Sequence, residues 1–344
     1  MQKISQLALS VLFLYDLSAF SCTAFELPNS SVPVMAKTFD WYDDFGLVLV
    51  NKRNVEKKAL TKTGTPVQWV SKNGSITFNQ AGREFPFSGI NEQGLAVELL
   101  ALLSPGSSYP LASDPKPAIN EFQWVQFILD GASNLQEAIQ LAQSVRIDQI
   151  FNEFPLHYIV CEATGKCAVF DHLNGNLVVT TGAKLPVQLI TNYLYSESVA
   201  KLSKPISMAP QADTRFERAA QLLSQFKPVQ DPISYSFAVL RSIGQGDFSK
   251  WNIVFRLDTK RIYFRSLRAN TIKTFSLTDF DFSCATPVEM LDINSKASGE
   301  VASQFQSYDP AVDAQFIRQA RVWAPAPAMA KAAEALPQQQ TRCR

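Results

Sequence analysis

Cys22 stands where an apolar leader ends, and that position offers it chemistry that a cysteine inside a chain lacks. Lys3 opens with a positive charge and residues 7–15 form an apolar run. Ala19 and Ser21 then place small side chains at −3 and −1 of a cut before Cys22, so residues 1–21 read as a signal peptide. The run is too short to span a bilayer. Its removal makes Cys22 the new N-terminus. An α-amino group has a pKa of about 7.7–8.0, so one residue then supplies both nucleophilic thiol and general base. A structural cysteine and a lipid-anchored one are the competing readings. Phe20 at −2, where a lipoprotein signal favours a small residue, argues against the second.

Other chemistry is scarce. The chain holds two histidines, His157 and His172, both in strand-like segments where a structural role is the simpler reading. No HExxH or CxxC spacing suggests a metal site, and no GxSxG, GxGxxG or phosphate-binding loop is present. No cofactor and no metal are therefore expected. A formal net charge of +1, with no long basic run, leaves no footprint for nucleic acid. The expected partner is a small molecule; no membrane span is expected after processing, and self-association is left open.

Export changes the meaning of cysteine, because disulfides persist outside the cytosol. The five cysteines are an odd number, and under any full pairing Cys22 is the natural one left over. Cys161 and Cys167 flank a glycine turn between strand-like flanks, where a cross-strand bridge is feasible, as are two free thiols. Cys284 with Cys343 is only arithmetic.

The elements that must hold Cys22 are mostly strands. Short β-branched or apolar runs cover 34–39, 46–51, 67–70, 75–78 and 87–90, and a tight turn at 91–94 leads into 95–103. Residues 104–116 are rich in Pro, Ser and Gly and read as a loop. Asn120 caps a helix to about 129. Asn134 (or Ser133) caps another, with Leu135, Ala138, Ile139, Ala142 and Val145 at helical spacing. Strands over 157–170 and 176–181 and a short one at 189–191 follow. Helices are predicted over 214–225 and 232–243, then a hairpin of 251–255 with 261–267. Helical zones among antiparallel-looking strands indicate an α+β fold. The absence of a clean linker makes 22–322 one domain, with 323–344 an Ala/Pro/Gln-rich tail read as a loose helix or disordered.

Six segments in order carry a resemblance. Cys22-Thr-Ala-Phe25 and Ala36-Lys-Thr-Phe-Asp-Trp41 are followed by Gly89-Ile-Asn-Glu-Gln-Gly-Leu95 and Pro155-Leu-His-Tyr158. Thr191-Asn192 and Arg215-Phe-Glu-Arg218-Ala complete the series, and Trp251 with Arg261-Ile-Tyr-Phe264 is similar to a late hairpin. Together they resemble the choloylglycine hydrolase and penicillin V acylase family, N-terminal-nucleophile hydrolases of linear amide C–N bonds, over most of 22–267. The resemblance implies an αββα four-layer sandwich of two antiparallel sheets between helical layers. It implies Cys22 as nucleophile, Asp40 orienting its amine, Asn192 and the backbone N–H of Ala101 stabilising the oxyanion, and Arg215 balancing charge, with Arg218 its nearest competitor.

Three positions depart from the family. Lys37 replaces an arginine, which keeps a charge near the thiol but loses the planar fork. Ala101 stands where the family has Tyr or Asn nearby, and Ala24 where it often has Arg. These put substrate preference in doubt more than reaction type. The expectation is a periplasmic or secreted amidohydrolase that cleaves an acyl amide through a thioester. N-acyl homoserine lactones, penicillin V and bile-salt-like amides are the family's candidates. A non-catalytic binding or lipid-anchored protein on the same scaffold is the alternative.

Overall fold

The computed structural model describes residues 22–150, 154–203, 214–339 and 342–344. The segment 1–21, read above as a signal peptide, lies outside the described residues. Two large sheets dominate. A seven-stranded sheet runs in the order Leu189–Ile190, Thr23–Glu26, Val34–Asp40, Ser249–Arg256, Arg261–Ser266, Lys273–Ser276 and Gly299–Glu300. Its neighbours are antiparallel except the last pair.

The second sheet has nine strands, all antiparallel: Asn176–Thr181, Cys167–Leu173, Leu156–Cys161, Ala96–Ala101, Pro86–Asn91, Ser75–Asn79, Leu47–Asn51, Glu289–Asp292 and Gln306–Ser307. The sheets face each other across an aromatic seam. Phe39 meets Phe87 edge to face at 5.3 Å, and Phe78 meets Phe264 at 5.4 Å.

Helices cover both outer faces. α1 (Gln123–Gly131) lies on Pro86–Asn91 and Ala96–Ala101, and α2 (Leu135–Ser144) packs on α1. α3 (Tyr195–Lys201) and α4 (Arg215–Ser224) lead to α5 (Pro232–Ile243), which packs on Val34–Asp40 and Ser249–Arg256. The result is the αββα sandwich. Central strands are covered on both sides, so Val34–Asp40 and Ala96–Ala101 are buried at every position. A charged residue inside either run must therefore find a partner in the core.

Local signals place the helix starts. The Asn134 side chain accepts from Glu137 N at 3.0 Å and Asp231 from Ser234 N at 2.7 Å. Asn120 works slightly early: its Oδ1 accepts from Phe122 and Gln123 N, and α1 begins at Gln123, two residues later than a cap at 120 implies.

The C-terminal segment is helical and packed. After α6 (Pro310–Gln319) a single turn, Arg321–Trp323, leads into α7 (Pro327–Gln339). Trp323 is 3% exposed and its indole N–H donates to Ala81 O at 3.0 Å. Ala333 and Leu336 are also buried. The Ala/Pro/Gln bias conceals enough apolar surface to dock this segment on the domain, so packing does not break after residue 322. Cys161–Cys167 closes the expected hairpin, Cys284–Cys343 ties the C-terminal end down, and Cys22 is free. Among the described residues no helix is long and apolar enough to cross a membrane.

Candidate active site

Cys22 immediately precedes the Thr23–Glu26 strand, which pairs with Val34–Asp40 on one side and Leu189–Ile190 on the other. Three segments distant in sequence thus meet at one sheet end. The Cys22 Sγ lies between the backbone groups of Asp40, 3.4 Å from its N and 3.7 Å from its O. Burial pushes the thiol up to about 11, and the Asp40 charge adds to this; Lys37, the Asp40 amide and Arg215 oppose it. Such a thiol is protonated at neutral pH and needs a base before it can attack.

Asp40 ends the central strand. Its Oδ1 accepts from the Thr38 hydroxyl at 2.6 Å. Burial raises its pKa, against the Ser249 and Thr38 hydroxyls and the charges of Arg215 and Lys37.

Asn192 follows the edge strand. Its Nδ2 donates to Ala101 O at 2.9 Å, and its Oδ1 accepts from Arg215 Nη2 at 3.2 Å. Because guanidinium can only donate and a carbonyl can only accept, these two contacts fix which end of the amide carries the N–H bonds. Arg215 Nη1 donates to Cys22 O at 3.3 Å, so one guanidinium joins Cys22 to the Asn192 amide. Arg218 turns away and donates to Ser242 O. Of the two arginines, the fold brings Arg215 to the site.

Ala101 sits opposite Leu156, and Leu102 N donates to Pro155 O. That pattern makes Ala101–Leu156 a pair whose own amides do not bond each other. The Ala101 N–H and C=O therefore point to the other side, where Asn192 lies and where pairing to the neighbouring strand has ended at Ser88–Glu98.

Lys37 is fully buried. Its Nζ donates to Phe87 O and Leu99 O, both at 2.8 Å, and pairs with Glu98 Oε2 at 3.2 Å. It acts on the thiol through its charge, with its own hydrogen bonds committed elsewhere. Ala24, opposite Lys37 in the sheet, is also fully buried.

Glu98 was legible only as the one polar residue in the apolar run 95–103. A second missed link is His157. Its Nδ1 lies 2.8 Å from Asp171 Oδ1 and its Nε2 2.6 Å from Thr191 O, the residue before Asn192. Asp171 Oδ2 accepts from Tyr195 N, and Leu103 N donates to Asn192 O. The 191–195 turn is held from both sides. His172 is buried against Tyr109, and burial lowers its pKa to about 4.

A pocket opens over Cys22, Ala101 and Asn192, walled by Phe39, Phe87, Phe122, Phe154 and Val322. Its apolar wall suits an apolar group held beside Cys22. Among the described residues no set of His, Cys, Asp and Glu could hold a metal ion.

Residues 22–228 match the family described as linear amide C–N hydrolases, choloylglycine hydrolase family. A penicillin V acylase of Pectobacterium atrosepticum is 25% identical over 192 residues, 51% of this chain and 50% of that protein. The chain thus matches this curated relative over about half of the relative's length. Among solved structures, penicillin V acylase from Agrobacterium tumefaciens is similar at TM-score 0.71 and 23% identity, over 84% of this chain and 98% of that one. A variant of conjugated bile acid hydrolase from Clostridium perfringens is similar at TM-score 0.65 and 16% identity, over 80% and 98%. These two likenesses are of fold: the same sandwich of two antiparallel sheets.

Proposed function

The chain belongs to the choloylglycine hydrolase family of linear amide C–N hydrolases, and on that premise we propose that it is an exported amidohydrolase with Cys22 as its N-terminal nucleophile. One observation carries the reading: Arg215 joins Cys22 to Asn192 beneath an aromatic pocket. The two disulfides support an oxidising compartment, periplasmic or extracellular.

In the uncut chain the Cys22 nitrogen is a peptide amide to Ser21 and is no base. Cleavage before Cys22 yields an amine with a pKa of about 7.7–8.0, able to take the thiol proton. Sulfur then attacks the substrate carbonyl carbon. A C–S bond forms and the carbonyl electron pair moves onto oxygen, within reach of Asn192 Nδ2 and the Ala101 N–H. The oxyanion collapses, the C–N bond breaks, and the leaving amine takes the proton held by the Cys22 amine. That amine next draws a proton from water, whose oxygen attacks the thioester; the acid leaves and the thiol is restored. Asp40, beside Cys22, orients the amine. The aromatic walls favour an apolar acyl group, with fatty acyl amides such as N-acyl homoserine lactones and phenoxyacyl penicillins ahead of steroid amides.

Mass spectrometry of the mature N-terminus tests this directly. The active protein should begin at Cys22 with a free amine, and Cys22→Ser should remove turnover while leaving the fold intact. Active protein that retains Ser21 overturns the reading.

A thiol pushed up to about 11 and a Lys37 committed to Glu98 favour a second reading, a binding protein on the same scaffold. A burst of acyl release with one fast-reacting thiol supports the hydrolase. Binding without a burst supports the binder.

A further inference from the structure

We propose that Val322, far along the chain from the nucleophile, sets the depth of the acyl pocket and so the length of acyl chain accepted; this rests on the acyl-amide reading above. Val322 lines the same pocket as Cys22 and Asn192 and is 4% exposed. It lies outside residues 22–228, the stretch that matches the family.

The turn that carries it is clamped on both flanks. Arg321 N donates to Asp43 Oδ2 at 2.8 Å, and its guanidinium pairs with the same carboxylate and lies 4.8 Å from the Tyr42 ring centre. On the other side, Trp323 donates to Ala81 O and meets Phe85 edge to face at 5.2 Å. Tyr42 and Asp43 directly follow Asp40 and Trp41, which also line the pocket. The C-terminal turn is therefore anchored to the loop leaving the catalytic strand. A β-branched side chain on such an anchored turn has little rotamer freedom, so Val322 is a fixed wall.

A fixed apolar wall discriminates by the methylene it admits or excludes, about tenfold or more in kcat/KM for each. Removing two methyl groups in Val322→Ala deepens the pocket. Val322→Phe fills it.

The test compares wild type, Val322→Ala and Val322→Phe on straight-chain acyl amides of graded length sharing one amine. In parallel, each is combined with Cys22→Ala and titrated with free straight-chain carboxylic acids, with thermal melts as a folding control. We expect the kcat/KM optimum to move at least one methylene longer in Val322→Ala and shorter in Val322→Phe, with acid affinities moving in the same direction. Should Val322→Phe fail to fold, Val322→Ala alone decides. Turnover and binding profiles that coincide with wild type, or acids that bind none of the proteins, overturn the assignment. A wild type that hydrolyses nothing while the binding optimum still shifts overturns the activity reading and leaves the wall in place.

Discussion

The ammonium of Lys37 rests 3.2 Å from the carboxylate of Glu98, and both side chains are sealed between the two sheets. A buried pair of this kind is costly to break from one side, because the remaining charge has no water to turn to. Lys37→Met should destabilise the fold by about 3–5 kcal/mol in denaturant unfolding. The double variant Lys37→Met with Glu98→Gln should recover most of that loss. Strictly additive effects of the two substitutions would show that the residues do not depend on each other.

The same pair gives a pH signature. Burial pushes the Glu98 carboxyl from 4.5 up to about 7, against the pull of Lys37 and the Ser88 hydroxyl. Its pKa is higher folded than unfolded, so between these values the folded state holds more proton. The stability this contributes is complete below 4.5 and is lost as pH rises through about 7. Other carboxylates titrate in this range, so the quantity to measure is the difference between wild type and Glu98→Gln. The variant should lose less stability from pH 4.5 to 7; equal slopes contradict the assignment.

Arg215 and Arg218 lie three residues apart but meet different partners. Arg215→Ala should lower kcat by about a hundredfold, because Asn192 loses the donor that fixes its amide and geometry is lost at the reacting atoms. Asn192→Ala should lower kcat by about a hundredfold to a thousandfold, the usual loss for one oxyanion donor. Arg218→Ala, whose guanidinium faces Ser242, should leave kcat within about twofold. Steady-state kinetics on one acyl amide, with circular dichroism for folding, separates the three.

His157 joins Asp171 to the carbonyl of Thr191 and so braces the turn that presents Asn192. The Thr191 carbonyl can only accept, so Nε2 donates to it, and His157 bridges its two partners without lining the pocket over Cys22. His157→Ala should reduce kcat by up to about a hundredfold through misplacement of Asn192, with a smaller effect on KM. In a double-mutant cycle, Asn192→Ala should cost much less once His157 is gone. Independent losses would mean that His157 only stabilises the sheet.

Trp323 converts an unpromising composition into a packed end. Trp323→Ala removes a buried indole and its bond to Ala81 O, and should cost about 3–5 kcal/mol in chemical unfolding. A change within about 0.5 kcal/mol, the size of a surface substitution, would mean that this segment is dispensable.

Much of the framework was legible along the chain. The stretch 232–243 was readable as the helix α5, and Asn134 with the 135–142 spacing marks α2. These signals are local: a cap or a helical stripe is decided by residues three or four apart. Cys22 was identifiable for a similar reason, since an apolar run, small residues and cysteine are contiguous. The segments around Asp40, Asn192 and Arg215 were readable only through the family resemblance that six ordered segments carry.

What the sequence left open is what lies far apart along it. Lys37 stood out as a charge in an apolar strand and Glu98 as another, but nothing along the chain pairs them; the meeting of the two sheets does. Arg215 and Arg218 share a helix, and only the way α4 packs near the edge strand turns one toward Cys22 and the other toward Ser242. Val322 reaches the Cys22 pocket because Trp323 and Arg321 dock beside Ala81 and Asp43. Cys22 as the reactive candidate was thus determined by sequence alone. Its neighbours were decided by tertiary structure, because strand register and burial, rather than distance along the chain, select which side chains must satisfy one another in a dry core.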